Sequence, residues 1–290
     1  MTSPALPARQ VHVFVLIIMV NLALYLAQLF VHGGRELATG ELIAWGANVA
    51  PLTMAGQPQR LFTSLFVHMG FLHLALNMVL LFTLGAHVER VFGALRFSLI
   101  YMVAGMFGGL LSAAWHAQQA TQRMTVVMGE VVTTEHLQVV LSGGASVALM
   151  GIAGAALARS LMLGAAAHEA GSMNARSPVA QAMGFALVLV CTLPGADHPG
   201  HVGGLLAGAL LGGVLALAGT GPRLRHAVPV TVACASVNMM ALILQAEPTA
   251  GLLSLRAQLI APGAPAAVSA GRLNAVAANG SAVTATLLRR

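Results

Sequence analysis

The stretch LSGGASVALMGIAGA, Leu141 to Ala155, decides how the chain is read. It is apolar, dense in Gly and Ala, and offers one hydroxyl of interest, Ser146. Small residues of this kind line transmembrane helices where two backbones approach closely. A Ser in such a helix commonly bonds back to its own backbone. By itself the stretch is therefore a packing surface, and whether Ser146 has chemistry depends on the residues that surround it in the chain.

The composition sets the solvent. Of 290 residues, 58% are hydrophobic and 8% are charged, against about 25% charged in soluble domains. The apolar residues fall into runs near the roughly 20 residues needed to cross a bilayer. These runs are Val11–Val31, Phe66–Ala86, Leu95–Trp115, Val139–Leu161, the short Val179–Pro194, His201–Ala218 and Ala227–Gln245. The expected fold is an all-α, multi-pass membrane protein: a six-helix transmembrane bundle with a seventh, C-terminal span (6+1). The domain division is a short cytoplasmic head at 1–10, a transmembrane domain at 11–246 and a poorly ordered, Ala/Gly-rich tail at 247–290. Two longer connections stand out. His32–Arg60 reads as a structured loop lying on the membrane, and Ala117–Gln138 as a polar connection able to form a small hairpin.

Charge orients the bundle. All 14 basic residues are Arg, and a net charge of +6 raises the question of nucleic acid. The arginines are scattered over short loops and form no basic helix face, so no nucleic-acid partner is expected. With the N-terminus in the cytoplasm, the cytoplasmic segments hold Arg9, Arg90, Arg96, Arg159, Arg176, Arg223 and Arg225. The opposite loops before the tail hold Arg35, Arg60 and Arg123. That asymmetry follows the positive-inside rule and predicts a cytoplasmic N-terminus. An all-Arg, Ala- and Gly-rich chain with no organelle-targeting segment points to a bacterial inner membrane. Cys191 and Cys234 sit in apolar runs and read as small buried hydrophobes, so neither a disulfide nor a metal site is expected.

Polar groups inside a membrane carry the function. His73 and Asn77 are four apart, which places both on one helix face. They serve either as a helix–helix hydrogen bond or as two donors aimed at a developing oxyanion. His201 opens the run GHVGGLLAGALLGG, where Gly204, Gly208 and Gly212 recur every four residues and leave a bare stripe. Gly151, Gly154 and Ala155 form a matching small surface on the fourth span. If these faces meet, Ser146 and His201 share one end of neighbouring helices. A hydroxyl beside an imidazole is the minimum of an activated nucleophile; the alternative for His201 is a capping role near the interface.

At this point the residues resemble the rhomboid family of intramembrane serine proteases, from about Trp45 to Gly212. The resemblance rests on WGAN at 45–48, GQPQRLFTSLFVHMGFLHLALN at 56–77, GAHVERVFG at 85–93, RFSLIY at 96–101 and GAS at 144–146. It continues in Gly151, Gly154, His201, Gly204 and Gly208, in that order. It implies a rhomboid-like bundle in which Ser146 is the nucleophile and His201 the general base, a dyad without a required acid. His73, Asn77 and the backbone around Ser146 would form the oxyanion hole. Gly144, Gly151, Gly204 and Gly208 would support the site, Arg60 would belong to the membrane-lying first loop, and Glu89 to a polar network on the cytoplasmic side. No metal and no cofactor are implied. The implied partners are membrane lipid and transmembrane protein substrates, cut near the outer face.

Three positions depart from the family pattern. Val147 stands where a Gly follows the nucleophile, Met150 where an aromatic ring packs on the His, and Gln59 before Arg60 where the pattern is Trp-Arg. Val147 keeps a second reading in view, an inactive or attenuated rhomboid-like protein that binds transmembrane clients. Other chemistries lack their residues. There is no His-Glu-x-x-His helix for a metalloprotease, and a single Asp, Asp197, cannot make an aspartyl dyad. A coupled transporter would place acidic residues at mid-membrane, whereas Glu89 and Asp197 fall at span ends.

Overall fold

The computed structural model describes residues 12–118, 120–127, 130–163, 181, 184, 196–217, 229, 234, 236–238, 240–241, 250–260, 273–276 and 282–287. Within them, Val13–Val31 (α1) is followed by the first loop with three short helices, Thr39–Ala44 (α2), Ala50–Thr53 (α3) and Arg60–Thr63 (α4). A 3₁₀ turn at Ser64–Phe66 leads to Phe71–Leu80 (α5), a π-helical turn at Leu81–Gly85 and Ala86–Phe92 (α6), which together make one continuous helical rod. Then come Ala94–Gln118 (α7), Ser146–Leu163 (α8), His198–Leu217 (α9) and Ala250–Ile260 (α10).

Among the described residues, four stretches are long and apolar enough to cross a membrane: Val13–Val31, Phe71–Phe92, Ala94–Gln118 and His198–Leu217. The helix beginning at Ser146 is a fifth, shorter apolar element. Large apolar side chains stay exposed on these helices, among them Leu26, Leu161, Leu206 and Leu210. In lipid such a surface carries no penalty, because the hydrocarbon solvates it as well as a protein core would. The expected fifth and seventh spans fall almost wholly outside the described residues.

Span boundaries differ from the hydropathy reading in an informative way. The second span starts at Phe71 rather than Phe66, because Val67 and Gly70 are extended. The fourth starts at Ser146 rather than Val139. Strand pairing runs through Val139, and Gly144 takes φ +97°, a left-handed conformation that ends any helix reaching back from Ser146. The 18 residues described for this helix rise about 27 Å at 1.5 Å per residue. The sixth starts at His198, three residues ahead of His201.

The core of the bundle joins α1, α5, α7, α8 and α9 through Phe14, Ile17, Leu74, Phe97, Ile100, Ala148, Ile152 and Leu215, with Leu81 and Leu84 of the π-helical turn. Its tightest seam is α8 against α9. A Cβ added at Gly208 would fall on the Gly151 backbone, and one at Gly212 on Ala155. One added at Gly154 would fall on the Leu205 carbonyl. The bare stripe read from the sequence thus meets its partner surface with backbones in contact, the geometry that small residues permit in membranes.

Outside the helices lies a four-stranded sheet of order β1-β2-β4-β3. Ala120–Val127 (β1) and Glu130–Val139 (β2) form an antiparallel hairpin between α7 and α8. Leu273–Val276 (β3) and Ala282–Leu287 (β4) come from the C-terminal segment, and β4 lies parallel to β2 with Glu135 opposite Val283. Leu252 and Leu259 of α10 are buried against Ile43, Val49, Ala50 and Leu52 of the first loop.

Candidate active site

The strand that leads into Ser146 is fixed by the first loop. Asn48 and Ser142 exchange two backbone hydrogen bonds, Asn48 N–H to Ser142 O at 2.8 Å and Ser142 N–H to Asn48 O at 2.9 Å. The Asn48 side chain is itself held: Nδ2 donates to Gly109 O on α7, and Thr53 Oγ1 donates to Asn48 Oδ1. Gly144 N–H then donates to Ser64 O at 2.8 Å. Arg60 holds this loop in shape by donating through Nη1 to Ile43 O and Ala47 O and through Nε to Gln57. The expected membrane-lying loop is therefore a braced platform whose bonds end on the nucleophile turn.

Ser146 opens α8, and His201 lies in the first turn of α9. His201 Nε2 is 2.8 Å from Ser146 Oγ, close enough for the hydroxyl to donate to an unprotonated Nε2. His201 is buried and Ser146 half-buried. The α8–α9 seam holds them together, since Gly204, one turn beyond His201, packs on the Val147 carbonyl.

His73 and Asn77 reach the same place from α5. A Cβ at Gly144 would lie 2.6 Å from His73 Cε1, 3.0 Å from His73 Nε2 and 3.3 Å from Asn77 Nδ2. Only a glycine lets these side chains lie against the turn. Asn77 is 3% exposed, and its Nδ2 has no hydrogen-bond partner among the described residues. A buried amide donor without a partner costs about 1–3 kcal/mol, so its retention beside Ser146 marks it for an incoming acceptor. The first N–H groups of α8 point the same way, because a helix N-terminus leaves them unpaired within the helix.

Val147 does not crowd the turn. Its Cγ1 packs into a notch between Gly108 of α7 and Gly204 of α9, where a Cβ at Gly204 would be 3.2 Å away and one at Gly108 would collide. Sequence reading missed Gly108, Ser142 and His116, and it gave no site role to Asn48 or to Asp197, which it placed at a span end. An Asp followed by Pro199 at the head of an apolar run is a helix-start signal that was available for Asp197.

Glu89 lies at the other end of the bundle. Its Oε1 and Oε2 accept the Val13 and Phe14 N–H groups at 3.0 and 2.8 Å, and His12 Nδ1 is 3.4 Å away. It caps α1 and touches nothing at the Ser146 site. No group of three or more metal-ligating side chains occurs among the described residues.

Comparison with known proteins identifies the family. The family model for the Rhomboid domain matches residues 55–218, more than half of the chain, and the chain belongs to the rhomboid family. With its apolar helices, it is a multi-pass integral membrane protein. It is 27% identical over 200 residues to Rhomboid protease AarA of Providencia stuartii, covering 67% of this chain and 69% of that protein. It is 31% identical over 198 residues to Rhomboid protease GluP of Bacillus subtilis, covering 67% of this chain and 34% of the relative. RHOMBOID-like protein 5 of Arabidopsis thaliana is 32% identical over 177 residues, 59% of this chain and 48% of that protein. The chain thus spans half or less of two of these three relatives.

Proposed function

We propose that this protein is an intramembrane serine endopeptidase that cleaves transmembrane segments of membrane proteins near the outer membrane face. The observation that carries the reading is the 2.8 Å contact between Ser146 Oγ and His201 Nε2, at the start of α8 and within the first turn of α9. A nucleophile there sits below the surface yet within reach of water, which hydrolysis requires.

In the proposed reaction a substrate helix enters sideways and unwinds beside α8. His201 Nε2 takes the Ser146 Oγ proton as the oxygen attacks the scissile carbonyl carbon. The carbonyl electron pair moves onto its oxygen, which receives hydrogen bonds from Asn77 Nδ2, His73 and the N–H groups at the start of α8. The imidazolium returns its proton to the leaving amine. Water, deprotonated by the same His201, then hydrolyses the acyl-enzyme. The arginine distribution supports a cytoplasmic N-terminus and an outward-facing Ser146 end, and composition supports a bacterial inner membrane.

The competing reading, an inactive client-binding member, rests on Val147. Its seat in the Gly108–Gly204 notch favours activity, because the β-branched side chain is accommodated without displacing the turn. The test is cleavage of a model transmembrane substrate by purified protein in detergent, together with labelling by a fluorophosphonate. Loss of both in Ser146→Ala and His201→Ala is expected. A wild-type protein that neither cleaves nor labels, while Val147→Gly does both, would establish the attenuated reading instead.

A further inference from the structure

The Ser146–His201 pair uses neither of two polar groups at its back, buried Asp197 and half-buried His116. Asp197 is the residue before α9, four positions ahead of His201 and only 9% exposed. Its Oδ1 accepts the Gly200 N–H at 3.0 Å, and its backbone carbonyl accepts the His201 N–H at 2.9 Å. That is the bonding of a helix N-cap. Pro199, in the first turn, supplies a pre-set φ and no N–H that would need a partner.

A cap needs only one side-chain oxygen and no charge. Asn and Ser perform it as well as Asp does, yet the sole Asp of the chain stands here. Oδ2 has no hydrogen-bond partner among the described residues. The nearest cationic candidate is His116 near the end of α7, with Nε2 4.0 Å from Oδ1. Neither ring nitrogen of His116 has a hydrogen-bond partner among the described residues, so it does not spend the carboxylate's charge on a close bond. A buried carboxylate with one oxygen free is costly unless a positive charge faces it. The group one helical turn away that becomes positive in the proposed reaction is His201.

We propose that Asp197 positions His201 and stabilises its imidazolium. Oδ1 fixes the helical turn that aims Nε2 at Ser146, and the carboxylate's charge faces the cation formed when the Ser146 Oγ proton moves to Nε2. The proton then passes to the leaving amine, and Asp197 itself neither gains nor loses one. Among the described residues no carboxylate bonds the His201 ring directly, so the action is through space. This inference rests on the protease reading above. The titratable groups facing this cluster are few: His73 with His68 behind it from the α5 side, His116 from α7, and His198 and Asp197 at the start of α9 itself. The other four besides His201 and Asp197 are histidines, so Asp197 is the only acid among them.

The discriminating variant is Asp197→Asn in the full chain, which keeps the cap and deletes the charge. Its melting temperature should match wild type. Its kcat should fall about tenfold at unchanged KM, the scale of one unit of differential protonation energy. The acid limb of its pH–rate profile should move to lower pH, because loss of a nearby negative charge favours neutral imidazole. Asp197→Ala should lose thermal stability as well, and Asp197→Ser should regain stability but not rate. An Asn variant with wild-type kcat and an unmoved acid limb would reduce Asp197 to a cap and overturn the proposal. Imidazole NMR titration of the detergent-solubilised chain, with His201 assigned by His201→Gln, needs no turnover. If wild type proves inactive, the protease reading fails. The charge coupling is then still judged by the His201 midpoint: a shift to lower pH in Asp197→Asn supports it, and a midpoint that stays put overturns it.

Discussion

The two ends of the bundle treat buried polar groups in opposite ways. At the Glu89 end, both carboxylate oxygens accept backbone N–H groups of α1, and the helix start is fully served. At the Ser146 end, Asn77 Nδ2 and Asp197 Oδ2 are buried without partners among the described residues, and Gly144 holds φ +97°. The first arrangement stabilises a fold. The second keeps donors and charge waiting for something the resting protein does not contain. Asn21 Oδ1, Gln28 Oε1 and Tyr101 Oη are also buried without partners among the described residues, so an unmet group counts toward chemistry only where, as with Asn77, it lies against the Ser146 turn.

Four substitutions test that contrast. The largest effect is expected from Gly144→Ala. The new methyl would strain the backbone and push His73 and Asn77 away from the turn. Loss of an oxyanion donor alone is worth about 10²–10³ in kcat, so cleavage should fall at least that far while the helical circular dichroism persists. A Gly144→Ala protein with near-normal kcat would show that the turn and α5 do not cooperate in the site.

Second is the Val147 notch. Gly108→Ala should drive its methyl into Val147 Cγ1 and cost about 1–3 kcal/mol of stability by overpacking, with a comparable loss of rate. Adding Val147→Gly should restore only the part due to Val147, because the new methyl would still lie 2.5 Å from Gly200 O and 2.7 Å from Gly204 N. Absence of such coupling in the double-mutant cycle would mean that the two side chains are not in competition.

Third, Glu89→Ala should lower stability by about 1–2 kcal/mol through loss of the α1 cap. The kcat of the remaining folded enzyme should stay within about twofold of wild type. A large fall in kcat without a change in melting temperature would erase the distinction between the two ends.

The smallest effect belongs to the first loop. Arg35 bonded to Glu41, with a further hydrogen bond from the Ala38 N–H, holds the Glu41 carboxyl down to about 2 from its ordinary 4.5. A depressed carboxylate contributes stability that is complete above about pH 4.5 and lost as pH falls toward 2. The pair is solvent-exposed, so Glu41→Gln should shift the melting temperature only slightly at neutral pH, and still less at pH 2, where the carboxyl is about half protonated.

Much of this was legible in residue order. Apolar run lengths give the first, third and sixth spans to within a few residues, because hydrophobic length is a local property matched to a bilayer. The four-residue recurrence of Gly204, Gly208 and Gly212 forecasts a close helix contact, because α-helical periodicity is local too. Hydropathy misplaced the start of the fourth span by seven residues, Val139 against Ser146. Apolarity cannot tell a buried strand and turn from a helix, and the break depends on Gly144 meeting His73 and Asn77 from another helix. The role of Val147 was likewise out of reach, since its fit is set by Gly108, 39 positions away in sequence.

What the sequence determined alone is the membrane environment, the helical architecture of its spans and a short set of polar residues unusual for lipid. Those follow from composition and local periodicity. The resemblance implied that Ser146, His201, His73 and Asn77 share a site and that Glu89 stands apart; the distances and the backbone contacts that bring them together belong to the tertiary structure. The reason is physical: a 2.8 Å contact between residues 55 positions apart exists only because glycines on α8 and α9 let two backbones touch.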